Sequence, residues 1–303
     1  MTVPIVDVMT AADGCRLRFG LWPVRNPRGA VLLLPGRSEF LEKYAETAGA
    51  LTDRGFAVYA LDWRGQGLSD RPLADPQKGH VADYGEYLAD LDRFRIEVAG
   101  EARAPRLILG HSMGAHIALR YLADQPHAVA AAVLTSPMVD IIPGPWPPAL
   151  ARRLTAAAVA RGGGTAYALG EGPYRPKTGR RFRRNVLTSD RDRYLGEAAR
   201  IAANPALALG GVTWGWLAAT YASVDRLGDP AVAARIETPV LMVAAGRDRV
   251  VSNAAQAALC QRMSRCRREV LPAARHEILM ERDAIRAEFW ALFDAWTGKI
   301  LEG

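Results

Sequence analysis

Short apolar runs, which suit buried strands, alternate along the chain with longer segments of helical periodicity. Residues 6–24 predict an opening hairpin, because a polar Asp-Gly pair interrupts them at Asp13. The further predicted strands are residues 30–34, 57–61, 106–109, 131–134, 239–245 and 269–271. The predicted helices are residues 42–54, 83–98, 115–122 and 281–296. This alternation predicts an α/β fold with a mostly parallel sheet flanked by helices.

A serine flanked by glycines stands between the predicted strand 106–109 and the predicted helix 115–122. The five residues are Gly110-His111-Ser112-Met113-Gly114. G-x-S-x-G between a strand and a helix is typical of a nucleophile elbow, a sharp turn that exposes the serine hydroxyl at the carboxyl edge of the sheet. The N-terminus of the following helix also favours negative charge. We therefore predict that Ser112 is a nucleophile.

A serine hydroxyl is a weak nucleophile at neutral pH and needs a histidine base, which an acid must orient. In a fold of this kind the acid follows the next-to-last strand and the histidine follows the last one. Asp248 follows the strand at 239–245, and His276 follows the strand at 269–271. The predicted triad is therefore Ser112, Asp248 and His276. Structural or surface roles suit the competing residues better: His80, His111, His116, His127, Asp225, Asp229 and Asp283.

Acyl transfer also needs two backbone N–H groups that hold the oxyanion. One is expected to be the amide of Met113, directly after the nucleophile. The other is expected in the loop after strand 30–34, where Gly36 lets the backbone approach a substrate and Arg37 supplies the amide. A plain β-turn is the alternative interpretation of this loop.

The alternation of strands and helices is interrupted after the sixth predicted strand. The stretch that follows contains four prolines within residues 143–148 and much alanine. It is long enough for several helices, and it leaves the sheet at the edge where Ser112 is exposed. We therefore predict a core made of residues 1–137 and 231–303, with a helical lid inserted at residues 138–230.

Composition bears on whether the chain folds around a large core, spans a membrane or is secreted. With 303 residues, 50% of them hydrophobic, the chain can bury a large core, and no apolar run is long enough to span a bilayer. Acidic residues within the first 19 positions do not suit a secretory signal. Cys15, Cys260 and Cys266 are too few and too scattered for a disulfide framework. Reduced thiols and a cytoplasmic location are therefore expected.

The net charge of +7 is unevenly distributed. Four arginines lie within residues 180–184, close to Arg175 and Lys177, and no nucleic-acid-binding motif accompanies them. We therefore expect no nucleic-acid partner. The cluster is either a solvated basic face or a contact for an anionic membrane surface or a lipid phosphate.

Further motifs give the chain a family resemblance. They are Leu34-Pro35-Gly36-Arg37 with Glu39 and Tyr44, Leu61-Asp62-Trp63-Arg64-Gly65-Gln66-Gly67-Leu68-Ser69, Gly79-His80-Val81 before Tyr84, the elbow, Gly246-Arg247-Asp248 and His276-Glu277. On these residues the chain resembles serine hydrolases of the α/β-hydrolase superfamily. Within it, the chain is similar to the group of monoacylglycerol lipases, bacterial lysophospholipases L2 and serine aminopeptidases. Pro35 and Phe40 stand where monoacylglycerol lipases usually carry histidines, so the oxyanion loop is closer to the lysophospholipase branch.

The resemblance implies hydrolysis of a monoacyl lipid ester, from a lysophospholipid or a monoacylglycerol, through an acyl-enzyme on Ser112. It requires no metal and no cofactor, and acyl transfer to another alcohol would use the same residues. The expected partners are the lipid ester and, through the basic lid, the inner face of an anionic membrane. Substrate contacts are expected from Gly36, Arg181, Arg184 and Trp214, with Trp146 and Trp216 bracing the pocket roof or packing the lid onto the core.

Three alternatives stay open: a general carboxylesterase for small esters, an aminopeptidase or amidase of the same fold, and a hydrolase-like receptor without turnover. An aminopeptidase would want acidic residues near Ser112, whereas the predicted lid offers mostly arginine. A receptor would tend to lose a triad residue or the oxyanion glycine, and this chain keeps them all. The lipid esterase is therefore favoured.

Overall fold

The computed structural model describes residues 3–100 and 106–302, so residues 1 and 303, which bound the predicted core, lie outside it. The described strands are β1 (Ile5–Thr10), β2 (Arg16–Trp22), β3 (Gly29–Leu34), β4 (Phe56–Leu61), β5 (Arg106–His111), β6 (Ala131–Thr135), β7 (Val240–Ala245) and β8 (Cys266–Leu271). They form one sheet in the order β1-β2-β4-β3-β5-β6-β7-β8. β2 pairs antiparallel with β1 and β4, and all pairs from β4 through β3 to β8 are parallel. The predicted mostly parallel sheet is confirmed.

Helices flank this sheet. The described α-helices are α1 (Ala45–Thr52), α2 (Tyr84–Arg93), α3 (Met113–Asp124), α4 (Pro148–Ala160), α5 (Gly179–Phe182), α6 (Arg191–Ala203), α7 (Trp214–Gly228), α8 (Pro230–Ala234), α9 (Asn253–Arg262) and α10 (Asp283–Glu302). Two predicted helices are each split, because a 3-10 turn, Leu41–Tyr44, precedes α1 and a π-helical turn, Phe94–Val98, follows α2. Among the described helices, none is both long and apolar enough to cross a membrane.

Alternate residues of the central strand β3 point to opposite faces of the sheet. Leu32 and Leu34 join a core with residues of α2 and α3, while Val31 and Leu33 join a second core with residues of α1 and α10. All six residues of β3 are buried. Since helices cover both faces, the central strands are apolar throughout rather than alternating, and this pattern is what made them predictable.

Four parallel strands end at the same edge of the sheet, and a predicted site residue follows each of them. Gly36 and Arg37 follow β3, Ser112 follows β5, Asp248 follows β7 and His276 follows β8. Open α/β sheets bind ligands at this carboxyl edge. The topology therefore gathers residues that lie far apart in the sequence.

Residues 136–239, which we call the β6–β7 segment, connect β6 to β7 and contain helices α4 to α8. Main-chain hydrogen bonds join the segment to the rest of the chain. The Gly79 amide donates to the Gly211 carbonyl over 3.0 Å, and the Glu277 amide donates to the Leu187 carbonyl over 2.7 Å. The segment therefore lies over the carboxyl edge of the sheet, and its role as the predicted lid stays a prediction.

Cys260 and Cys266 form a disulfide bond, with their Cα atoms 5.3 Å apart. The expectation of reduced thiols is wrong for this pair. The reason is local: α9 ends at Arg262 and β8 begins at Cys266, so a short turn brings the second cysteine back beside the first. Cys15 is a free thiol, and burial raises its pKa to about 11.

Candidate active site

The serine of the predicted elbow has a strained backbone. Ser112 has φ 51° and ψ −112°, a region that residues other than glycine rarely occupy. Its amide donates to the Thr135 carbonyl over 3.0 Å, which ties the turn to the end of β6. A Cβ at Gly114 would stand 2.3 Å from the carbonyl oxygen of Leu34. The second glycine of the motif is therefore required by the close packing of α3 against β3.

Three side chains from three strand ends form a hydrogen-bonded chain. His276 Nε2 lies 2.9 Å from Ser112 Oγ, and His276 Nδ1 lies 2.8 Å from Asp248 Oδ2. Ser112 and His276 are buried, and so is the whole side chain of Asp248. With a hydrogen on Nδ1, Nε2 is free to accept the serine proton. The structure thus brings the three predicted triad residues together in the order that a nucleophile, a base and an orienting acid require.

Asp248 is stabilised as a carboxylate. Burial raises its pKa, but hydrogen bonding to His276, the charge of His276 and two backbone amides outweigh burial and leave the pKa below its ordinary value. Those amides, of Val250 and Val251, donate to Asp248 Oδ1 over 2.8 and 3.1 Å. A charged Asp248 keeps the hydrogen on Nδ1 of His276 and fixes the plane of the imidazole ring.

The loop that carries His276 is held by residues that the sequence did not reveal. Ser136 donates its hydroxyl hydrogen to the His276 carbonyl over 2.7 Å. Glu281 accepts a hydrogen bond from the Arg275 amide over 2.8 Å. Both Ser136 and Glu281 are fully buried. The only sequence signal for Ser136 is its place directly after a strand, and that place says nothing about a partner 140 residues later.

Side-chain hydrogen bonds hold the loop after β3. Trp63 Nε1 donates to the Pro35 carbonyl and Gln66 Nε2 donates to the Gly36 carbonyl, each over 2.8 Å. The Gly36 amide donates to the buried carboxylate of Glu39. A Cβ on Gly36 would stand 2.8 Å from that carboxylate, so any other residue here would have to displace it. The loop is therefore a preformed element, not a mobile turn.

The amides of Arg37 and Met113 are the two predicted oxyanion donors. No acceptor in the described part of the chain takes a hydrogen bond from either of them. Arg37 lies in the loop after β3, and Met113 is the first residue of α3, whose N-terminal amides are unpaired within the helix. Two free N–H groups at the edge that carries Ser112 suit the stabilisation of a developing oxyanion.

A cluster of buried charged side chains lies beside the serine. Lys43 Nζ contacts Glu39 and Glu197 over 2.8 Å each and Glu277 over 2.9 Å. Lys177 Nζ also contacts Glu197 over 2.8 Å. We call these five residues the charged cluster. With three carboxylates and two ammonium groups, it carries a formal charge of −1.

Three members of the charged cluster, Glu39, Lys43 and Glu277, are held in their ionised form. Burial raises the pKa of Glu39, but Lys43, His111 and Tyr44 bring it down to about 2. Burial lowers the pKa of Lys43, but its three carboxylate partners raise it well above the ordinary value. Glu277 also has a lowered pKa, because Lys43 and Lys177 outweigh its burial. A buried network of this kind is stable only while every charge keeps its partner.

The cluster corrects one expectation from the sequence. Acidic residues do lie near Ser112: Glu39 and Glu277 come from the sheet edge, and Glu197 comes from α6 of the β6–β7 segment. The sequence offered one partial signal, because Glu39 and Lys43 are four positions apart. Nothing in the order of residues linked this pair to Glu197 or Lys177.

A family model described as serine aminopeptidase, S33 (Hydrolase_4), matches residues 25–283 of the chain. The chain belongs to this family. Lysophospholipase L2 from Escherichia coli K12 is 35% identical over 294 residues, which cover 92% of this chain and 83% of the relative. A monoacylglycerol lipase from Mycolicibacterium smegmatis is 35% identical over 137 residues, which cover 44% of this chain and 47% of the relative.

Solved structures share the fold of this S33 family member. A soluble variant of monoglyceride lipase from Saccharomyces cerevisiae superposes with a TM-score of 0.76 at 19% identity, covering 99% of this chain and 96% of that one. A carboxyl esterase from Bacillus coagulans superposes with a TM-score of 0.75 at 21% identity, covering 99% and 100%. The α/β-hydrolase fold that the resemblance implied is therefore confirmed.

Two pockets of different character lie at the carboxyl edge of this S33 family member. A cavity of about 280 Å³ is lined by Ser112, His276, Gly36 and Arg37 together with the charged cluster. A second cavity, of about 310 Å³, is mostly apolar, and we call it the apolar cavity. Its lining includes Ile141, Trp146, Leu154, Trp214, Leu217 and Tyr221.

A third pocket, which we call the groove, shares lining residues with both cavities. Arg37 and Tyr174 line both the groove and the cavity at Ser112, and Glu171 lines both the groove and the apolar cavity. The Arg37 guanidinium lies 5.8 Å from the centre of the Trp216 ring. The groove thus borders both the polar site at the serine and the apolar site in the β6–β7 segment.

The predicted substrate contacts are distributed unevenly. Gly36 lines the cavity at Ser112, and Trp214 lines the apolar cavity. Arg181 and Arg184 are exposed and line neither of these cavities. Arg181 donates to the Arg175 carbonyl over 3.4 Å. The structure therefore does not bring these two arginines to the serine.

Proposed function

We propose that the chain is a serine hydrolase that cleaves the carboxylic ester of a monoacyl lipid, with Ser112, His276 and Asp248 as its catalytic triad. The observation that carries this proposal is that a charged cavity at Ser112 and the apolar cavity both share lining residues with the groove. A substrate with one acyl chain and one polar alcohol matches these two environments. The sequence identity with lysophospholipase L2 of E. coli supports the same substrate class.

Acylation follows from the hydrogen-bonded chain. Ser112 Oγ attacks the ester carbonyl carbon while its proton passes to His276 Nε2, which lies 2.9 Å away. The carbonyl oxygen becomes an oxyanion and accepts hydrogen bonds from the amides of Arg37 and Met113. The intermediate then collapses, the bond to the alcohol oxygen breaks, and His276 gives the proton to that oxygen. The alcohol leaves and the acyl group stays on Ser112.

Deacylation repeats these steps with water. His276 Nε2 takes a proton from water as the water oxygen attacks the acyl carbonyl, and the same amides hold the second oxyanion. Collapse breaks the bond to Ser112 Oγ, which recovers its proton from His276. Throughout, the Asp248 carboxylate stabilises the imidazolium through its 2.8 Å contact with Nδ1. Acyl transfer to another alcohol would differ only in the attacking hydroxyl.

In this proposal the acyl chain and the alcohol occupy different cavities. The apolar cavity, lined by Trp214, Leu217 and Leu154, takes the chain. The charged cluster faces the alcohol or head group, where Lys43 and Lys177 offer hydrogen bonds to hydroxyl or phosphate oxygens. Arg37, between the two cavities, stands beside the ester.

In this proposal residues 138–230 act as the lid over the carboxyl edge. The lid holds the apolar cavity and contributes Lys177 and Glu197 to the charged cluster. The exposed arginines within residues 180–184 supply peripheral contact with an anionic membrane. The apolar side chains exposed on the same segment, Trp146 and Leu169 among them, add to that contact.

A second function, cleavage of an aminoacyl bond, is favoured by one observation. The carboxylates of Glu39, Glu197 and Glu277 lie near Ser112, and an amino terminus is recognised by carboxylates. All three already pair with Lys43, so the cluster lacks an unpaired acid for this purpose. The esterase is therefore the better-supported function.

Rates on four substrates test the proposal. The substrates are p-nitrophenyl butyrate, 1-monooleoylglycerol, lysophosphatidylcholine and an aminoacyl-nitroanilide. We expect fast turnover of the two monoacyl lipids, lost in Ser112→Ala and kept in the control Ser252→Ala, which changes a serine that caps α9. Turnover of the short ester alone would reduce the function to a general carboxylesterase, and turnover of the nitroanilide alone would establish the aminopeptidase. Lipid turnover that survives Ser112→Ala would refute the triad.

A further inference from the structure

Five arginines surround a pocket that the ester chemistry does not use. The pocket has a volume of about 530 Å³. We call it the arginine pocket, and its lining consists of Arg183, Arg184, Asn185, Val186, Gly246, Arg247, Asp248, Arg249 and Arg275. The triad acid Asp248 is thus one of its lining residues, whereas no residue of the charged cluster lines it.

The arginines come from three separate parts of the chain. Arg183 and Arg184 follow α5 in the β6–β7 segment, Arg247 and Arg249 follow β7, and Arg275 follows β8. A run of basic residues in the sequence often reflects only a solvated surface. Here the fold brings basic side chains from distant parts of the chain together around one concavity. A solvated basic face would not require such an arrangement.

The positive charge of the arginine pocket is unpaired. Arg183, Arg184, Arg247 and Arg249 are exposed, and none forms an ion pair with another residue in the described ranges 3–100 and 106–302. Among the residues that the structure describes, Asp248 is the only acidic one that lines the pocket, and its buried carboxylate faces His276. Five guanidinium groups and one carboxylate leave a formal charge of +4.

One arginine is anchored in place. Arg275 Nη1 donates to the carbonyls of Asn185 and Thr188 over 3.2 and 3.0 Å. These hydrogen bonds tie the loop after β8 to the β6–β7 segment. Within residues 3–100 and 106–302, no acceptor takes a hydrogen bond from the other nitrogens of the guanidinium, which can therefore bind a ligand. The pocket therefore has a partly fixed wall rather than five independent side chains.

The arginine pocket is separate from the cavity at Ser112. The two share no lining residue. The cavity at Ser112 is lined by Leu187, Val250 and His276. The arginine pocket is lined by their respective chain neighbours Val186, Arg249 and Arg275. A group bound in the arginine pocket therefore does not occupy the place of the ester under attack.

We propose that the arginine pocket is a binding site for a phosphate group. Guanidinium groups bind phosphate oxygens through paired, charge-assisted hydrogen bonds, and several of them around one concavity favour a tetrahedral oxyanion over chloride. The phosphate belongs either to a free anion or to the head group of an anionic lipid in the bilayer. Since Arg183 and Arg184 lie in the β6–β7 segment and Arg247 and Arg249 follow the sheet, the bound phosphate links the two.

Calorimetric titration with inorganic phosphate, against sodium chloride at equal ionic strength, tests the site. The test variant is Arg183→Ser/Arg184→Ser, and the matched control is Arg153→Ser/Arg161→Ser, which removes the same charge from exposed positions at and just after α4. We expect saturable binding to the wild type and the control, and an apparent Kd at least about tenfold higher for the test variant. Arg249→Ser, on the opposite wall, is expected to weaken binding in the same direction.

Vesicle co-sedimentation distinguishes the two sources of phosphate. Binding to phosphatidylglycerol vesicles that is lost in the test variant, kept in the control and inhibited by inorganic phosphate assigns the site to a lipid head group. Phosphate binding in calorimetry without arginine-dependent vesicle binding assigns it to a free anion. Equal losses in the test and control variants, or no arginine-dependent binding in either assay, would overturn the proposal. The lipid arm rests on the proposed membrane contact of residues 180–184, but neither assay requires ester turnover, so failure of the phosphate site is distinguishable from failure of the proposed ester hydrolysis.

Discussion

Ser136 holds His276 by its main chain, with the serine hydroxyl donating to the His276 carbonyl over 2.7 Å. Ser136→Ala should leave the imidazole present but less well placed against Ser112. We expect kcat to fall about tenfold with KM nearly unchanged, because the defect lies in the geometry of the reacting groups rather than in substrate binding. Steady-state kinetics on p-nitrophenyl butyrate measure this, with Ser252→Ala as a control. A change confined to KM would contradict the positioning role.

The charged cluster predicts how stability depends on pH. Burial raises the pKa of Glu39, but Lys43 and the other partners leave it at about 2, below the ordinary value of 4.5. A lowered pKa means that the stabilisation is complete above about pH 4.5 and is lost as the pH falls towards 2. Glu39→Gln is therefore expected to lower the free energy of unfolding at pH 7 by about 3 kcal/mol, with a smaller difference at pH 3.

Urea unfolding at several pH values measures this difference. Glu288→Gln, at an exposed position on α10, is the control and should change little at any pH. A gap between wild type and Glu39→Gln that stays constant from pH 7 to pH 3 would show that Glu39 does not titrate as proposed.

The packing at Gly114 predicts a strong effect from a single methyl group. In Gly114→Ala the Cβ would stand 2.3 Å from the Leu34 carbonyl oxygen and 2.5 Å from that of Pro35, so the backbone must shift. Overpacking of this kind costs about 1–3 kcal/mol of stability. The displaced loop also carries Arg37, so we expect kcat to fall about 100-fold through the oxyanion hole.

Gly49→Ala is the matched control for that substitution. Gly49 lies within α1, and a Cβ there meets no atom within 4 Å. We expect it to raise the free energy of unfolding by about 0.5–1 kcal/mol, because alanine favours the helix. Equal behaviour of the two variants in thermal unfolding and kinetics would contradict the packing described at Gly114.

The apolar cavity predicts selectivity for chain length. Ala151 on α4 lines this cavity, and Ala156 on the same helix does not. Ala151→Phe should fill part of the space and lower kcat/KM for 1-monooleoylglycerol about tenfold, while p-nitrophenyl butyrate is turned over as before. Ala156→Phe should leave both substrates unchanged. Equal losses on the long and short esters in Ala151→Phe would place the acyl chain elsewhere.

The strands, the helices and the order of the proposed triad residues were predictable from the sequence. Central parallel strands are apolar throughout, and residues that follow them share one edge, so the placement of Ser112, Asp248 and His276 required only the strand order. Contacts across the β6–β7 segment were not predictable in this way. Lys43 and Glu197 are brought together by the packing of α6. The hydrophobic periodicity of the sequence does not predict where this helix packs.

The disulfide bond and the arginine pocket were not predicted for the same reason, because each depends on how separate elements pack together. Cys260 and Cys266 are six residues apart, and only the tight turn between α9 and β8 makes them partners. The run within residues 180–184 was visible, but its continuation through Arg247 and Arg249 depends on two loops that meet in space. Sequence reasoning therefore identified two of the five arginines of the pocket, as part of a basic surface cluster.

The charged cluster also bears on how such enzymes can be recombined. Lys43 comes from the half of the molecule built on the sheet, whereas Glu197 and Lys177 come from the β6–β7 segment. A chimera that receives this segment from a relative would inherit carboxylates and ammonium groups without their counterparts, and would bury unmatched charge next to the nucleophile. Substrate preference therefore cannot be transferred with the β6–β7 segment alone, because both halves of the ion-pair network must be exchanged together.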